Sequence, residues 1–510
     1  MFLKLVVSIC GTLGAYLLYY VLRGVYAELT SPLRLLPGPK SPHWLFGNLK
    51  ELRDDIASGR DERWFEQYGR TVKLHRLFNR SQVYTIDTKA IHHILSNTPI
   101  YQKSGPARFS LGRIVGPGQL TSAFISGVIN NVLGVLVVEG DVHKQQRKIM
   151  NPAFGAPQIR ELTGIFVEKS VQLRDIWATQ LATLDIIGLA GFNYQINALG
   201  TRSEDTPNEL AAAFEALFRT ETTFSLLRIL QARFPIFRYI PSDKVIRESQ
   251  ATMMRIGGQL LADSKRDIAE NGTFDTGRAR DLLSLLVRAN TSKEIPASQR
   301  LSDKDVLAQV PTFLIAGHET TSTAVTWALF ALTQNTGAQS RLRAELQSLE
   351  TENPTMDDLH NLTYLDCVVR ETLRVHPPVV ATSRVAMCDD VLPLATPFTD
   401  KHGIVHETLR IRKGDMAPER WLSPIANSIP GVWGQMLTFL GGPRGCIGYR
   451  FSLVEMKALL FSLVRSFEFE LAVPIADIGK TSVIVQRPIL LSDPKAGNQM
   501  PLLVRPAVRS

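Results

Sequence analysis

Apolar and polar positions follow the period of an α-helix along most of this chain. Runs with the alternating period of a β-strand are short and lie in two places. The helical segments cover 208–290, 303–350 and 448–466, and the strand-like segments cover Val72–Leu77, Ser81–Asp87 and the stretch from 379 to 415. The first two strand segments predict a hairpin. We therefore expect a mainly α fold with a small β region.

One predicted helix, Asp303–Asn335, is apolar on nearly every side, which indicates a buried position at the centre of the fold. Ser302 precedes it as a helix N-cap. The middle of the helix breaks this pattern, because Ala316–Thr321 brings small and polar residues into the most apolar part. One explanation is that a threonine bonds to the carbonyl four residues earlier and bends the helix. The other is that the segment lines a functional groove.

A second apolar run, from Leu5 to Leu22, carries no charged residue. At about 1.5 Å per residue it comes close to spanning the hydrocarbon core of a bilayer. More Lys and Arg follow the run than precede it, which favours a cytosolic position for the rest of the chain. A cleaved signal peptide is the alternative, although no small-residue cleavage site follows. We predict a signal-anchor transmembrane helix at 1–24, a proline-rich linker at 25–50 and one catalytic domain at 51–510.

Composition narrows the class of protein. The cysteines are few and one of them lies in the apolar run, so no disulfide framework is implied and a reducing compartment fits; they are Cys10, Cys367, Cys388 and Cys446. The net charge of +9 is spread along the 510 residues rather than collected in a tail. Nucleic acid is therefore not an expected partner, whereas anionic lipid or an acidic protein surface is.

The segment FLGGPRGCIG, from Phe439 to Gly448, carries the strongest chemical signal. A helical pattern begins directly after it. A helix N-terminus and the nearby Arg444 favour the negative charge of a thiolate at Cys446, and thiolates bind metals. Glycines let the backbone approach a flat cofactor closely. A buried structural cysteine in a glycine-rich turn is the alternative.

The order Phe-x-x-Gly-x-Arg-x-Cys-x-Gly resembles the haem-thiolate loop of the cytochrome P-450 monooxygenases, and the resemblance covers essentially residues 36–510. It implies a cytochrome P-450 fold and a haem (heme, iron protoporphyrin IX) with Cys446 as the axial iron ligand and Phe439 beside it. In the central helix, it implies that Gly317 opens space for the cofactor. The Thr320 hydroxyl and the Glu319 carboxylate would then deliver protons to bound O2.

The same resemblance assigns supporting residues. Glu371 and Arg374, three apart on a predicted helix, match an invariant Glu-x-x-Arg pair, and Arg420 of Pro-Glu-Arg-Trp would complete their buried structural network. The two propionate groups of the haem are negatively charged and are expected to bind cationic side chains. The resemblance offers Arg444, Arg384, and the pair His143 and Arg147 one helical turn apart.

The chain also departs from the family pattern in three places. RKGDM runs directly into APERW near residue 416, where the family normally carries a further strand and loop. A second gap is expected near residue 180. Residues 117–133 look like an insertion. Such departures are typical of a misjudged exon structure, and they leave open whether the chain as written is active.

Three functions are compatible with these features. The first is a monooxygenase anchored in the endoplasmic reticulum membrane by a single pass, with its catalytic domain in the cytosol. It would insert one oxygen atom of O2 into a small apolar substrate, in secondary metabolism or xenobiotic oxidation. No dinucleotide-binding fingerprint occurs, so electrons would come from a separate NADPH-cytochrome reductase. The second function is isomerase or peroxygenase chemistry on the same haem, and the third is a membrane protein that cannot hold haem.

Overall fold

The structure is a computed structural model, and it describes residues 2–48, 51, 60–115, 134–176, 244–271, 281–291, 300–412, 416–420, 431–482 and 485–507, with isolated residues between 186 and 237. The predicted insertion at 117–133 and the predicted gap near 180 lie outside the described residues. The chain folds into two compact units. The first unit comprises Met1–Gln102 and Ala381–Ile429, and the second comprises Lys103–Val380 and Pro430–Ser510.

Helices make up most of the described chain, as the sequence predicts. They are α1 (Phe2–Leu29), α2 (Arg60–Tyr68), α3 (Thr88–Ser96), α4 (Gly105–Val115), α5 (Gly140–Met150), α6 (Ala156–Ile176), α7 (Lys244–Asn271), α8 (Leu282–Thr291), α9 (Asp303–Leu307), α10 (Gln309–Thr333), α11 (Thr336–Gln347), α12 (Met356–Asn361), α13 (Thr363–Val375) and α14 (Tyr449–Ser466). Among the residues that the structure describes, no helix is both long and apolar enough to cross a membrane, so the transmembrane helix predicted at 1–24 is not confirmed and stays a prediction.

The strands are short. They are β1 (Thr71–His75), β2 (Ser81–Thr85), β3 (Tyr101–Gln102), β4 (Ala381–Ala386), β5 (Asp390–Thr399), β6 (Val405–Ile411), β7 (Met416–Arg420), β8 (Gly431–Trp433), β9 (Met436–Gly441), β10 (Phe467–Leu471), β11 (Ile478–Ser482), β12 (Gln486–Leu490) and β13 (Leu502–Pro506). The predicted hairpin is present as the antiparallel pair β1 and β2, with Val72 opposite Tyr84. A mainly α fold with a small β region is therefore confirmed.

The first unit is built on a five-stranded sheet in the order β1-β2-β7-β4-β3, beside the separate pair β5-β6. Asp87, which is fully buried, fixes the end of β2 to this pair. Its carboxylate caps α3 through the backbone N–H groups of Lys89 and Ala90. It also accepts the backbone N–H groups of Ala395 and Thr396 in β5. One buried carboxylate thus satisfies donors from two elements, as buried charges require.

The departure near residue 416 lies directly before a strand of this sheet. Loss of a strand from a sheet would leave backbone groups of its neighbours unpaired. Instead, Met416–Arg420 itself forms β7, which pairs antiparallel with β4 and, at Thr85 and Glu419, parallel with β2. The backbone hydrogen bonds of the sheet are met at this position. The Pro-Glu-Arg segment is consequently extended backbone.

The second unit contains the predicted central helix. Ser302 caps α9 reciprocally with Asp305, as the sequence predicts, and the chain continues into α10 after Ala308. Side chains are buried at nearly every position of α10 before residue 316 and after residue 320. Helix α14 is buried to a similar degree and packs on α6 through the edge-to-face pair Phe166 and Phe451, whose ring centroids lie 4.7 Å apart.

Candidate active site

The cysteine loop lies in the second unit between β9 and α14. Its backbone is closed by the Cys446 N–H, which donates to the Phe439 carbonyl at 2.7 Å, and by the Gly445 N–H, which donates to the Gly442 carbonyl at 3.0 Å. Gly445 cannot be replaced without movement, because a Cβ there would lie 2.6 Å from the Val432 side chain. The glycines predicted from sequence therefore serve close backbone packing.

The Cys446 side chain is exposed. Enough protein nevertheless surrounds the sulfur for desolvation to raise the pKa of the thiol. The two observations agree if the sulfur borders a hollow in the protein. The Gly448 N–H and the Arg147 guanidinium act in the opposite direction and lower this pKa. Both groups stabilise a thiolate, which is the form that binds a metal.

Helix α10 has one exposed turn in its otherwise buried length. Ala316 is exposed, and the next four residues, including Thr320, are partly exposed. Residues of α10 on either side of this turn make contacts that lead to the cysteine loop and to α14. Before it, Phe313 packs edge-to-face on Phe154, whose ring would lie 3.8 Å from a Cβ on Gly448. After it, the Thr321 hydroxyl lies 3.1 Å from the Ser452 hydroxyl.

Gly317 lies in close contact with a neighbouring side chain. A Cβ at this position would lie 2.8 Å from the Cδ1 atom of Ile187, so the space beside Gly317 is already filled. The exposed surface of the turn is provided by Ala316 instead. The role of Gly317 toward the cofactor stays a prediction, and in this structure its small size allows Ile187 to pack against α10.

Thr320 makes the local bond that the sequence left as an alternative. Its hydroxyl donates to the Ala316 carbonyl at 2.7 Å. The hydroxyl proton is thereby engaged, while the oxygen keeps lone pairs that can accept a hydrogen bond. Back-bonding and a role toward bound oxygen are compatible at this residue.

Glu319 has a cationic partner that the sequence did not reveal. Arg487 of β12 donates to its carboxylate through Nε at 2.8 Å and through Nη2. The Glu319 side chain is 15% exposed and that of Arg487 is 12% exposed. Burial raises the pKa of Glu319, and the Arg487 charge opposes the rise. The two residues are 168 positions apart, so no local sequence pattern could have paired them.

The expected cationic residues of the second unit gather around the start of α5. Arg444 donates to the Val138 carbonyl at 2.8 Å and to the carboxylate of Glu139. Arg147 donates to the Gly445 carbonyl at 2.9 Å. Burial lowers the pKa of Arg444 to about 10, so it stays charged at neutral pH.

His143, in contrast, is not a cation. Burial, assisted by the nearby charges of Lys103 and Arg147, lowers its pKa to about 4. The side chain is neutral near physiological pH and can offer one N–H donor, but no charge, to a propionate. The assignment of His143 to the cofactor stays a prediction, with this residue as a hydrogen-bond donor rather than a charge. Lys103 and Arg108, which sequence reasoning missed, carry the charge in this region, since each acts on a neighbouring group of the cluster.

Arg384, the third expected propionate partner, belongs to the first unit. It lies on β4, is buried, and donates to the Thr382 hydroxyl at 2.8 Å and to the Ser383 carbonyl at 2.9 Å. Its assignment to the cofactor stays a prediction.

The Glu-x-x-Arg pair forms as predicted, with two parallel bonds from Arg374 to Glu371 at 2.8 and 2.7 Å. Both partners nevertheless reach solvent, because the Glu371 side chain is 64% exposed and that of Arg374 is 44% exposed. The burial that the resemblance implies is therefore not found at this pair. Arg420 ends β7 in the first unit, and its side chain lies outside the described residues.

Phe439 lies on the strand that leads into the loop. Its ring packs edge-to-face on Trp433, with centroids 5.8 Å apart, and contacts Tyr449 at 6.2 Å. Trp433 in turn stacks under the Arg370 guanidinium at 4.9 Å. This aromatic layer fixes β9 beside the first turn of α14.

A family model for cytochrome P-450 matches residues 37–395 and 416–492. The chain belongs to the cytochrome P-450 family. It is 47% identical to the cytochrome P-450 monooxygenase 128 of Postia placenta over 550 residues, covering 98% of this chain and 97% of that protein. It is 32% identical to the monooxygenase claQ of Ampulloclitocybe clavipes over 93% of each chain.

A solved structure, a cytochrome P-450 haem domain, shares the fold with a TM-score of 0.69 at 20% identity, covering 93% of this chain and 99% of that one. The alignment to the first relative is longer than the 510 residues of this chain. The relative therefore carries stretches for which this chain has no counterpart. The family match is itself interrupted between residues 395 and 416, beside the departure predicted from the sequence.

The chain is thus a cytochrome P-450 monooxygenase, and the family binds haem through a cysteine thiolate. The residues present fit that cofactor. Cys446 offers an exposed sulfur with two neighbouring groups that favour the thiolate. Arg444 lies two residues before Cys446, and Arg147 contacts the Gly445 carbonyl, so both place positive charge near the sulfur. The exposed turn of α10 lies between Phe313 and Thr321, the two residues of α10 whose contacts lead to the cysteine loop and to α14.

Sequence reasoning also missed Glu455 on α14. Its side chain is fully buried, and neither carboxylate oxygen has a hydrogen-bond partner among the described residues. Burial raises its pKa well above the ordinary value, although the Thr321 hydroxyl opposes the shift. Burial without a charged partner favours the protonated form of a glutamate. The only sequence feature that could have revealed Glu455 is its acidic side chain within an otherwise apolar stretch of α14.

Proposed function

We propose that this cytochrome P-450 inserts one oxygen atom of O2 into a small apolar organic substrate, with electrons from a separate NADPH-cytochrome reductase. The observation that carries the proposal is the exposed Cys446 sulfur, in a loop that leads directly into α14, the helix that contacts α10 at Thr321, just after the exposed turn of α10. When bound, the haem supplies the activation of O2. The remaining chemistry belongs to residues of the chain.

Cys446 would hold the haem iron through its thiolate. The Gly448 N–H and the Arg147 charge hold its sulfur in the thiolate form. Phe439 fixes the strand before the loop through its ring contacts, and Arg444 fixes the loop itself by donating to the Val138 carbonyl. A ligand held in this way does not have to reorganise when the cofactor binds.

Glu319 and Thr320 would handle protons at the exposed turn of α10. The Thr320 hydroxyl donates a hydrogen bond to the Ala316 carbonyl, and its oxygen keeps a lone pair that can accept one. Glu319 exchanges protons with solvent, and Arg487 keeps its carboxylate charged and oriented between exchanges. An acid and an alcohol in adjacent positions support a reaction that consumes protons. Isomerase or peroxygenase chemistry would not require them.

The apolar character of the substrate is supported by the part of α10 that precedes its exposed turn. Val310 and Leu314 face a narrow gap that α7 closes with Met253 and Leu260, and every side chain around it is predominantly apolar. Burial of apolar surface is the main source of affinity in such sites.

Membrane attachment is the second part of the proposal. The uncharged run Leu5–Leu22 lies within α1, and it would act as a single-pass anchor at the endoplasmic reticulum with the catalytic domain in the cytosol. The supporting observation is the excess of basic residues after the run. The same +9 net charge would suit an acidic reductase surface.

The test uses the full-length chain and the spectrum of its reduced carbon monoxide complex. We expect a red-shifted band in the parent protein and in Cys367→Ala, a change at an exposed cysteine on α13 that serves as a matched control. Cys446→Ala should lose the band. Survival of the band in Cys446→Ala would show that the ligand is misassigned.

Turnover then separates the reaction classes. We expect NADPH consumption and oxygenated product only when the reductase is present. Product formed from peroxide alone would identify a peroxygenase, and a parent protein with no band at all would identify a member that does not hold haem.

A further inference from the structure

Arg444 is already engaged by a buried carboxylate of the chain. Glu139 precedes α5, and its side chain is 8% exposed, while that of Arg444 is 6% exposed. The other carboxylate oxygen accepts the Lys103 backbone N–H at 3.2 Å and lies 3.8 Å from Lys103 Nζ. Glu139 thus joins three separate segments of the second unit: the residues before α4, the start of α5 and the cysteine loop.

Arg444 donates hydrogen bonds to two neighbouring residues. One nitrogen donates to the Val138 carbonyl and another to the Glu139 carboxylate, so the planar guanidinium is held by two successive residues. Arg147, two turns further along α5, holds the Gly445 carbonyl. The two residues immediately before Cys446 are therefore both fixed by α5 and the residues that lead into it.

The charges of this region show why a carboxylate is needed. Lys103, Arg108, Arg147 and Arg444 are cations, and Arg108 lies close enough to Arg444 to act on its charge. His143 is neutral. Only the two propionates would be available as counter-ions for these four cations, because the thiolate offsets the charge of the iron. Glu139 supplies a further negative charge, and a buried cation without such a partner is costly.

We propose that Glu139 is a positioning residue that holds Arg444, and with it the ligand loop, in place for the haem. Arg444 then acts first as a clamp on the loop rather than mainly as a propionate partner. The proposal rests on haem binding through Cys446, which the carbon monoxide spectrum of the parent protein tests separately.

The experiment compares Glu139→Gln with Asp141→Asn in the full-length, haem-loaded protein. Asp141 lies two residues away on α5 and makes the same acid-to-amide change, but its side chain is 96% exposed. At equal haem content, we expect Glu139→Gln to lose much of the red-shifted carbon monoxide band and to release haem to apomyoglobin about tenfold faster or more. Asp141→Asn should match the parent.

Two further variants keep the interpretation specific. Glu139→Asp retains the charge and should retain most of the band, even if Glu139→Gln accumulates poorly. Arg444→Gln combined with Glu139→Gln should release haem no faster than the worse of the two single variants, because both remove the same pair.

Three results would overturn the proposal. Unchanged or slower haem release in Glu139→Gln would mean that Glu139 competes with the propionates for Arg444. Additive effects in the double variant would mean that the two residues act independently. Equal loss of the band in Glu139→Asp and Glu139→Gln would mean that the charge is not what matters.

Discussion

The ion pair between Glu319 and Arg487 offers a sharp test of how the acid of the active site is controlled. Arg487→Gln removes the cation and leaves a carboxylate that is only 15% exposed. Breaking a buried pair by removing one partner costs about 3–5 kcal/mol of unfolding free energy. Because both side chains keep some contact with solvent, we expect about 3 kcal/mol, near the lower limit of that range.

A matched control lies on another strand of the same unit. Arg505 of β13 pairs with Glu470 of β10 at 3.3 Å, but these side chains are 63% and 53% exposed. Solvent screens such a pair, so Arg505→Gln should cost less than about 1 kcal/mol. Denaturant unfolding of both haem-loaded variants gives the comparison.

The pH dependence of the unfolding free energy tests whether Arg487 acts through the charge of Glu319. Burial raises the pKa of Glu319, and removing Arg487 removes the charge that opposes this rise. A carboxyl group with a raised folded-state pKa stabilises the fold at low pH, and this stability is lost as pH rises through that pKa. The cost of Arg487→Gln should therefore shrink on acidification and grow toward neutral pH.

Activity gives the third measurement. A carboxyl group that stays protonated near neutral pH cannot accept its next proton from solvent, so product formed per NADPH should fall in Arg487→Gln and recover little in Arg487→Lys. If Arg487→Gln is no less stable than Arg505→Gln and its cost is independent of pH, Glu319 does not depend on Arg487 and this reasoning is wrong.

Four other outcomes are expected. Thr320→Ala should stay folded and divert reducing equivalents to peroxide, measured as peroxide per NADPH; unchanged coupling would remove Thr320 from proton delivery. Deletion of residues 1–24 should keep haem but lower partition into microsomes, and a catalytic domain protected from protease in sealed microsomes would contradict the cytosolic topology. The raised pKa of Glu455 makes the folded chain bind more protons than the unfolded chain above pH 4.5, so the thermal stability of the parent should fall as the pH rises above that value. Glu455→Gln should abolish this fall, measured by thermal unfolding at several pH values. Restoring the family segment before Pro418 should raise haem incorporation; a source transcript that encodes this chain unchanged, with good haem binding, would refute an exon error.

Local pattern was sufficient for part of this protein. The hairpin of β1 and β2, the cap at Ser302 and the buried helix that follows all came from periodicity and residue type, because those forces act between residues close in sequence. The cysteine loop could also be found, since its glycines, Arg444 and Cys446 lie within a few positions of one another.

Contacts across long sequence distances decided the rest. Arg487 reaches Glu319 and Glu139 reaches Arg444 only after separate segments have packed together, and no local pattern encodes such pairs. The space beside Gly317 depended on where Ile187 packs, and the neutral state of His143 depended on burial. Residue type and spacing determined which chemistry this chain carries, whereas tertiary packing determined which charges have partners, because burial and distance set the energy of a charge.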